Sequence, residues 1–88
     1  MRVEFESSFA RDLRRVRDRR LRERIAHVIE QLEAAKDLQE VEGVKKLKDA
    51  EGAYRLRIGD FRLGFLLKDR VVILVRFLDR KEVYRFFP

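Results

Sequence analysis

The sequence predicts an α+β fold in which an antiparallel sheet packs against a helical hairpin. Two observations lead to this prediction. From Tyr54 to Pro88, apolar and polar residues alternate in steps of two over three consecutive runs, as in strands with one buried face. Residues 9–36 instead carry apolar residues at intervals of three and four, which is the spacing of amphipathic helices. At 88 residues, the chain is expected to form a single domain over residues 1–88.

The first half of the chain predicts a strand followed by two helices. Residues 2–5 alternate and form the first strand, and Ser7 or Ser8 then begins a helix by accepting a backbone N–H bond. The cluster Asp18-Arg19-Arg20 interrupts the helical pattern and separates the two helices. The apolar residues of the first helix are Phe9, Leu13 and Val16, and those of the second are Leu21, Ile25, Val28, Ile29 and Leu32. The second helix is expected to end near Ala35 or Lys36, and the short link makes the pair an antiparallel hairpin.

The second half predicts a loop and then a meander of three strands. Residues 37–53 lose the helical pattern and contain two glycines, so we expect a connecting loop from which Val44 and Leu47 reach the core. Strands are predicted at about 54–59, 61–67 and 71–77, joined by short turns and therefore antiparallel. Residues 79–86 are expected to form a short helix. The face predicted to pack on the helical hairpin comprises Leu56, Ile58, Leu63, Phe65, Ile73 and Val75, with Val71 and Phe77 sharing the face of the last two.

The basic charge of the chain is concentrated on the predicted sheet. The net charge is +6, and residues 54–88 contribute nine basic and four acidic residues to it. Arg55, Arg57, Arg62 and Arg76 are expected on the sheet face opposite the helices, which is predicted to be open. Such a surface favours a polyanionic partner, although a solvated basic surface is the alternative.

Composition excludes several other classes of function. The chain has no cysteine, so disulfide and thiolate chemistry are excluded, and a reducing cytoplasm is the expected compartment. No signal peptide is apparent, and the longest apolar run, 71–75, is too short to span a membrane. One histidine and scattered carboxylates show no ligand spacing, so neither a metal nor another cofactor is expected. His27 is expected on the surface of the second helix.

The predicted elements and three motifs resemble the RelE/ParE superfamily of bacterial and archaeal toxins. The motifs are AYRLRIGDFRLGF, VVILVRF and RKEVYR, and the resemblance covers essentially the whole chain. It implies the toxin of a type II toxin–antitoxin system, with a cognate antitoxin, the ribosome and mRNA as partners. RelE-like members are ribosome-dependent mRNA endoribonucleases in which a ribose 2′-OH attacks the adjacent phosphate.

The resemblance also implies which residues form the site. Arg55 and Arg57 occupy positions where RelE-like enzymes often have lysines, and Arg62 matches an arginine that contacts the scissile phosphate. Arg80 matches the arginine after the last strand, and Tyr84 matches a C-terminal tyrosine that stacks on a base or joins proton transfer. Further RNA contacts are expected from Arg76 and from three lysines before the strands, Lys45, Lys46 and Lys48. The alternatives for two of these residues are that Tyr84 packs on the sheet with Phe86 and Phe87, and that Arg80 pairs with Asp79 or Glu82.

The set departs from the family pattern in one chemical respect. Arginine keeps its proton in proteins, so Arg55 and Arg57 are suited to binding phosphate rather than to taking a proton from a hydroxyl group. Asp79 stands where many relatives have a histidine, and it either accepts the proton or pairs with Arg80. Two other functions therefore stay open: inhibition of DNA gyrase, as in ParE-like members, and non-catalytic binding of RNA or an antitoxin.

Overall fold

A five-stranded sheet with the order β1-β5-β4-β3-β2 forms the centre of the structure, a computed structural model that describes residues 1–88. All neighbouring strands are antiparallel except β1, which runs parallel to β5. The α+β class and the helical pair before a three-stranded meander are therefore confirmed. In chain order the elements are β1 (Arg2–Phe5), α1 (Ser7–Arg14), α2 (Arg19–Ala34), β2 (Val44–Lys46), β3 (Ala53–Ile58), β4 (Phe61–Lys68), β5 (Val71–Asp79) and α3 (Arg80–Phe86).

The two turns of the meander each contain two residues. Ile58 pairs with Phe61 across the first turn, where Gly59 has a φ of +61° that suits a residue without a Cβ atom. The second turn places Asp69 and Arg70 at φ values of +51° and +64°. Such tight turns fix the register of the strands, and thereby the side chains that share each face of the sheet.

The predicted loop over residues 37–53 was wrong in one respect, because it contains β2. A 3₁₀ turn over Leu38–Glu40 is followed by this three-residue strand, which pairs antiparallel with the outer edge of β3. A strand this short shows no alternation in the sequence. Leu47 is buried and Val44 packs against the main core, as expected. The sheet consequently has five strands rather than four.

The two N-terminal helices are linked by residues 15–18. The predicted serine cap is wrong: α1 follows Glu6 without a side-chain cap, and the Ser8 hydroxyl group donates a hydrogen bond to the carbonyl oxygen of Val75 at 2.6 Å. The predicted break at Asp18 is confirmed. Its carboxylate accepts a hydrogen bond from the backbone N–H of Leu21 at 3.1 Å and so caps α2.

The core between the helical pair and the sheet contains the residues predicted for β3 and β4, but of those predicted for β5 only Phe77 is buried. Leu56, Ile58, Leu63 and Phe65 are fully buried. On β5 the buried residues are Val72, Leu74 and Phe77, instead of the predicted face of Val71, Ile73, Val75 and Phe77. The register shifts beside Gly64 and Phe65, because Gly64 pairs with Arg76 while Phe65 pairs with Leu74. Val75, between Leu74 and Arg76, therefore has no partner on β4. This β-bulge changes the face of the sheet on which the following residues lie.

The sheet face opposite α1 and α2 is partly covered rather than open. A second apolar cluster of Leu47, Ala53, Val83 and Phe87 lies there; Val83 belongs to α3 and Phe87 directly follows that helix. The Phe87 ring packs so closely on Gly64 that a Cβ atom there would lie 2.6 Å from the ring.

Candidate functional site

A pocket of about 360 Å³ opens on the part of the sheet that α3 leaves uncovered. Four of the five residues predicted to be catalytic meet there, and no aspartate or glutamate lines it. The lining residues are Gly43, Val44, Lys45, Arg55, Arg57, Arg62 and Tyr84. The meander and β2 thus bring together residues from three strands and one helix.

The basic residues of this pocket lie opposite one another on neighbouring strands. Lys45 of β2 pairs with Arg55 of β3, and Arg57 of β3 pairs with Arg62 of β4. Side chains at such positions are close enough to interact, and like charges repel. The three ion pairs of the structure involve other residues, so no carboxylate neutralises this cluster. Uncompensated positive charge in a concave site favours the binding of an anion.

Tyr84 stacks beneath Arg55 at the edge of the pocket. The guanidinium carbon lies 4.4 Å from the centre of the tyrosine ring, and Tyr84 itself is 65% exposed. The Tyr84 ring thus packs against one side chain of the sheet, and of the three aromatic residues in the alternative only Phe87 is buried. The Nε of Arg55 is buried without a hydrogen-bond partner. Stacking engages the face of the guanidinium group, and its terminal nitrogens donate no hydrogen bond within the protein, so those in-plane donors remain available to a ligand.

Arg62 is held in place by the β3–β4 turn. One terminal nitrogen donates hydrogen bonds to the carbonyl oxygens of Gly59 and Phe61, at 3.0 Å and 2.9 Å. Its other N–H groups make no hydrogen bond with the protein. The side chain is thus oriented in advance, which lowers the entropic cost of binding an oxyanion.

Arg80 does not line the pocket. Its exposed side chain begins α3, and its backbone N–H donates to the carbonyl oxygen of Asp60 at 3.0 Å. The alternative in which Arg80 pairs with Asp79 or Glu82 is wrong, because neither carboxylate lies within ion-pair distance of Arg80. Asp79 caps α3 by accepting a hydrogen bond from the N–H of Lys81 at 2.8 Å. The carboxylate of Asp79 also lies outside the pocket lining.

The three lysines expected to bind RNA line a neighbouring pocket of about 330 Å³. Lys45, Lys46 and Lys48 meet Arg55 there, and Lys45 and Arg55 belong to both pockets. Lys45 thus lies closer to the arginine cluster than its prediction as a loop residue implied. The sequence contains no signal that separates it from the other two lysines, because only the register of β2 does so.

Arg76 is not on the open surface predicted for it. Its Nε and a terminal nitrogen donate to the carboxylate of Asp12 at 2.8 Å and 3.2 Å, and the side chain is 25% exposed. Asp12 is 4% exposed and also accepts the backbone N–H of Phe77 at 2.9 Å. The hydrogen bond to Asp12, aided by the charges of Asp12 and Glu82, raises the pKa of Arg76 although burial opposes the shift. The pair joins α1 to the edge of β5 beyond the end of β1, a role that the sequence pattern did not reveal.

Other features of the surface lie outside the pocket. His27 is exposed on α2, as expected, and lines a separate cleft of about 720 Å³ between α2 and β3. No group of three or more histidine, aspartate or glutamate side chains is placed to hold a metal ion. None of the helices has the length and apolar character needed to cross a membrane.

Comparisons with known proteins match nearly the whole chain. A family model described as the ParE toxin of the type II toxin–antitoxin system parDE matches residues 3–84. Toxin RelE3 of Methanocaldococcus jannaschii is 34% identical over 89 aligned residues, which cover 100% of both chains. The matched region includes every residue that lines the pocket.

Solved structures with the same fold include two archaeal complexes. The toxin chain in the RelB–RelE antitoxin–toxin complex from Methanococcus jannaschii superposes with a TM-score of 0.82 and 32% identity, covering 97% of this chain and 99% of that one. The RelE–RelB complex from Pyrococcus horikoshii gives a TM-score of 0.74 over 90% of this chain and 93% of that one. At 21% identity, this second likeness concerns the fold alone.

Proposed function

Because the chain belongs to the RelE/ParE superfamily of toxins from type II toxin–antitoxin systems, we propose that it is a ribosome-dependent endoribonuclease that cleaves mRNA. The reaction is the attack of a ribose 2′-OH on the adjacent phosphate, which releases the 5′ oxygen of the next nucleotide. The observation that supports this proposal is the pocket itself, in which Arg55, Arg57, Arg62 and Tyr84 meet without a carboxylate.

The three arginines suit the charge that develops during this reaction. The phosphate gains negative charge as the 2′ oxygen attacks, and preorganised donors that stabilise such charge make a large contribution to catalysis. Arg62 is already oriented by the turn, and Arg55 is already stacked on Tyr84. Arg57 is exposed and unpaired, so it binds the phosphate without first breaking an interaction within the protein. Tyr84 presents an exposed aromatic ring on which a base of the message stacks.

Arg80 completes the proposed set from the start of α3. Its side chain is exposed and free of ion pairs, and the helix begins next to the β3–β4 turn through the Arg80–Asp60 backbone bond. The Arg80 side chain does not line the pocket itself. Arg80 is therefore proposed as a residue that closes on the substrate, whereas Arg62 is in place beforehand.

A cognate antitoxin is the proposed protein partner. One of the archaeal structures is a RelB–RelE antitoxin–toxin complex, and the other is a RelE–RelB complex. The uncompensated positive charge of the present chain suits an acidic partner. Coexpression with the protein encoded beside this chain should suppress any toxicity and yield a complex that copurifies.

Cleavage in the presence of ribosomes tests the proposed activity. Purified protein is incubated with programmed ribosomes and a defined message, and the cut sites are read by primer extension. Wild-type protein should cut, whereas Arg62→Ala and Tyr84→Ala should lose cutting while keeping the wild-type melting temperature within about 5 °C, because neither side chain is in the core. An uncut message under conditions in which a known RelE toxin cuts would refute the proposal.

Inhibition of DNA gyrase is the second candidate, and it is favoured by the family model, which is described as a ParE toxin. A supercoiling assay with purified gyrase separates the two candidates. Inhibition at equimolar protein without cleavage of the message would establish the ParE-type target. If neither activity is found and expression in cells is harmless, non-catalytic binding becomes the function.

A further inference from the structure

The arginine-rich pocket contains only two side chains that exchange protons readily, Lys45 and Tyr84. The three arginines keep their protons in proteins. They can therefore bind the phosphate and neutralise its charge, but they do not transfer a proton. The cleavage reaction nevertheless needs a proton for the departing 5′ oxygen, since an alkoxide is a poor leaving group. The residue of this pocket that donates this proton has not yet been assigned.

We propose that Lys45 is the general acid, donating a proton from its ammonium group to the 5′ oxygen as the phosphorus–oxygen bond breaks. This inference rests on the proposed function and goes beyond it, since Lys45 was expected only to extend the RNA-binding surface. Lys45 lies directly opposite Arg55 in the register between β2 and β3. Its ammonium group makes no ion pair or hydrogen bond with the protein, so it is free to meet a substrate.

Its neighbour on β2 shows that position rather than charge distinguishes Lys45. Lys46 is also exposed, but it lies opposite Tyr54, whose ring stacks on the buried Phe65 on the other side of the sheet. Lys46 does not line the arginine pocket. The two lysines therefore form a matched pair in which only Lys45 is placed to transfer a proton.

Tyr84 is the less suitable donor because its position serves another purpose. One face of its ring is covered by the Arg55 guanidinium group, and the other is exposed for a base. A lysine ammonium group carries three protons on a flexible stem and adds positive charge where the leaving oxygen becomes negative. Both features favour Lys45 as the residue next to the leaving group.

Atoms and electrons balance in this step. The 2′ oxygen forms a bond to phosphorus and releases its proton to water, while the bond from phosphorus to the 5′ oxygen breaks. The electron pair of that bond remains on the 5′ oxygen, which takes a proton from Lys45. The products are a 2′,3′-cyclic phosphate and a 5′ hydroxyl group, and the neutral amine of Lys45 regains a proton from water. No oxidant, reductant or further reactant is needed.

A substrate whose leaving group needs no proton tests this step. In a synthetic message with sulfur in place of the bridging 5′ oxygen, the leaving group is a thiolate, which departs unprotonated because thiols are much stronger acids than alcohols. Lys45→Arg keeps the positive charge but cannot transfer the proton. With ordinary RNA on ribosomes, we expect this variant to cut about 10²–10⁴-fold more slowly than wild type, the usual contribution of general acid catalysis. With the sulfur substrate, its rate should return to within a few-fold of wild type.

Three control variants make the result specific to Lys45. Lys68→Arg, at an exposed position at the end of β4 that lines neither basic pocket, should retain the wild-type rate on both substrates. Arg62→Ala should be slow on both, because phosphate stabilisation is needed whatever the leaving group. Tyr84→Phe should not be rescued by sulfur. Binding of a non-cleavable 2′-deoxy message should be unchanged in Lys45→Arg.

The outcomes separate the inference from the proposed function. If wild-type protein cuts and Lys45→Arg cuts equally well, or is slow on both substrates, Lys45 is not the general acid and the inference is overturned alone. Rescue of Tyr84→Phe by sulfur would assign the proton to the tyrosine and overturn it as well. If wild-type protein cuts neither substrate, the proposed function is wrong, and this inference, which depends on it, is wrong as well.

Discussion

Replacing Asp12 with alanine should destabilise the protein far more than a surface change would. The carboxylate is 4% exposed and accepts three hydrogen bonds, two from Arg76 and one from the backbone of Phe77. Breaking a buried ion pair costs about 3–5 kcal/mol, and an orphaned N–H group accounts for about 1–3 kcal/mol of such a loss. Because the Arg76 side chain is 25% exposed and can turn partly toward water, we expect the lower end, about 3 kcal/mol.

Urea unfolding and thermal melts measure this loss. For a domain of this size, about 3 kcal/mol corresponds to a fall in melting temperature of roughly 12–24 °C. Glu4→Ala is the matched control, because it removes the exposed Arg2–Glu4 pair and should change stability by less than about 1 kcal/mol. In a double-mutant cycle, adding Arg76→Ala to Asp12→Ala should cost little more than Asp12→Ala alone.

Two results would refute this reasoning. A loss below about 1 kcal/mol in Asp12→Ala would mean that the pair contributes no more than a surface ion pair. The second result would be weaker RNA binding by Arg76→Ala at a temperature where this variant remains folded. It would mean that Arg76 contacts RNA, as the sequence predicted, in spite of its pairing with Asp12.

The other predictions concern packing, the pocket and a helix cap. Gly64→Ala should cost about 1–3 kcal/mol in urea unfolding, because the new methyl group would meet the Phe87 ring; wild-type stability would contradict this close packing. Arg55→Ala should weaken RNA binding and lower the slope of log K against log salt by about 0.7, the value for one phosphate of a single strand that is no longer neutralised. Fluorescence anisotropy at several salt concentrations measures that slope, and an unchanged slope would exclude binding of a phosphate by Arg55. Asp18→Ala should cost about 1 kcal/mol in circular-dichroism melts, since the N–H of Leu21 loses its acceptor; an unchanged melt would contradict the cap.

The sequence predicted best where a single local pattern determines structure. The alternation over Tyr54–Ile58 and Phe61–Leu67 placed Leu56, Leu63 and Phe65 in the core because two-residue turns hold the register of the meander. The intervals of three and four residues likewise located the second helix to within two residues of its ends. These patterns depend on neighbours in the chain, so they are visible without the structure.

The predictions failed where contacts between distant parts of the chain determine the structure. The bulge beside Arg76 changes which β5 residues face the core, and no alternation in the sequence reveals it. Asp12 resembles a solvated helix residue until α1 lies along β5, where the carboxylate meets both Arg76 and Phe77. Strand β2 is recognised only by its pairing with β3.

The candidate site was predictable in part for the same reasons. Arg55, Arg57 and Arg62 converge because a tight turn joins their strands, and that turn is visible in the sequence as Gly59-Asp60. The place of Lys45 depends on an unpredicted strand. Its nearness to Arg55 is thus information that only the structure supplies.

If this pocket cuts RNA through a ribose 2′-OH, a message with one deoxynucleotide provides the most direct test. Wild-type protein and ribosomes are given a message that is all ribose, or the same message with a single 2′-deoxy substitution just before the mapped cut site. We expect cutting of the first message, with a cyclic phosphate end, and none of the second at that site. Equal cutting of both messages, or of neither, would contradict the proposed reaction.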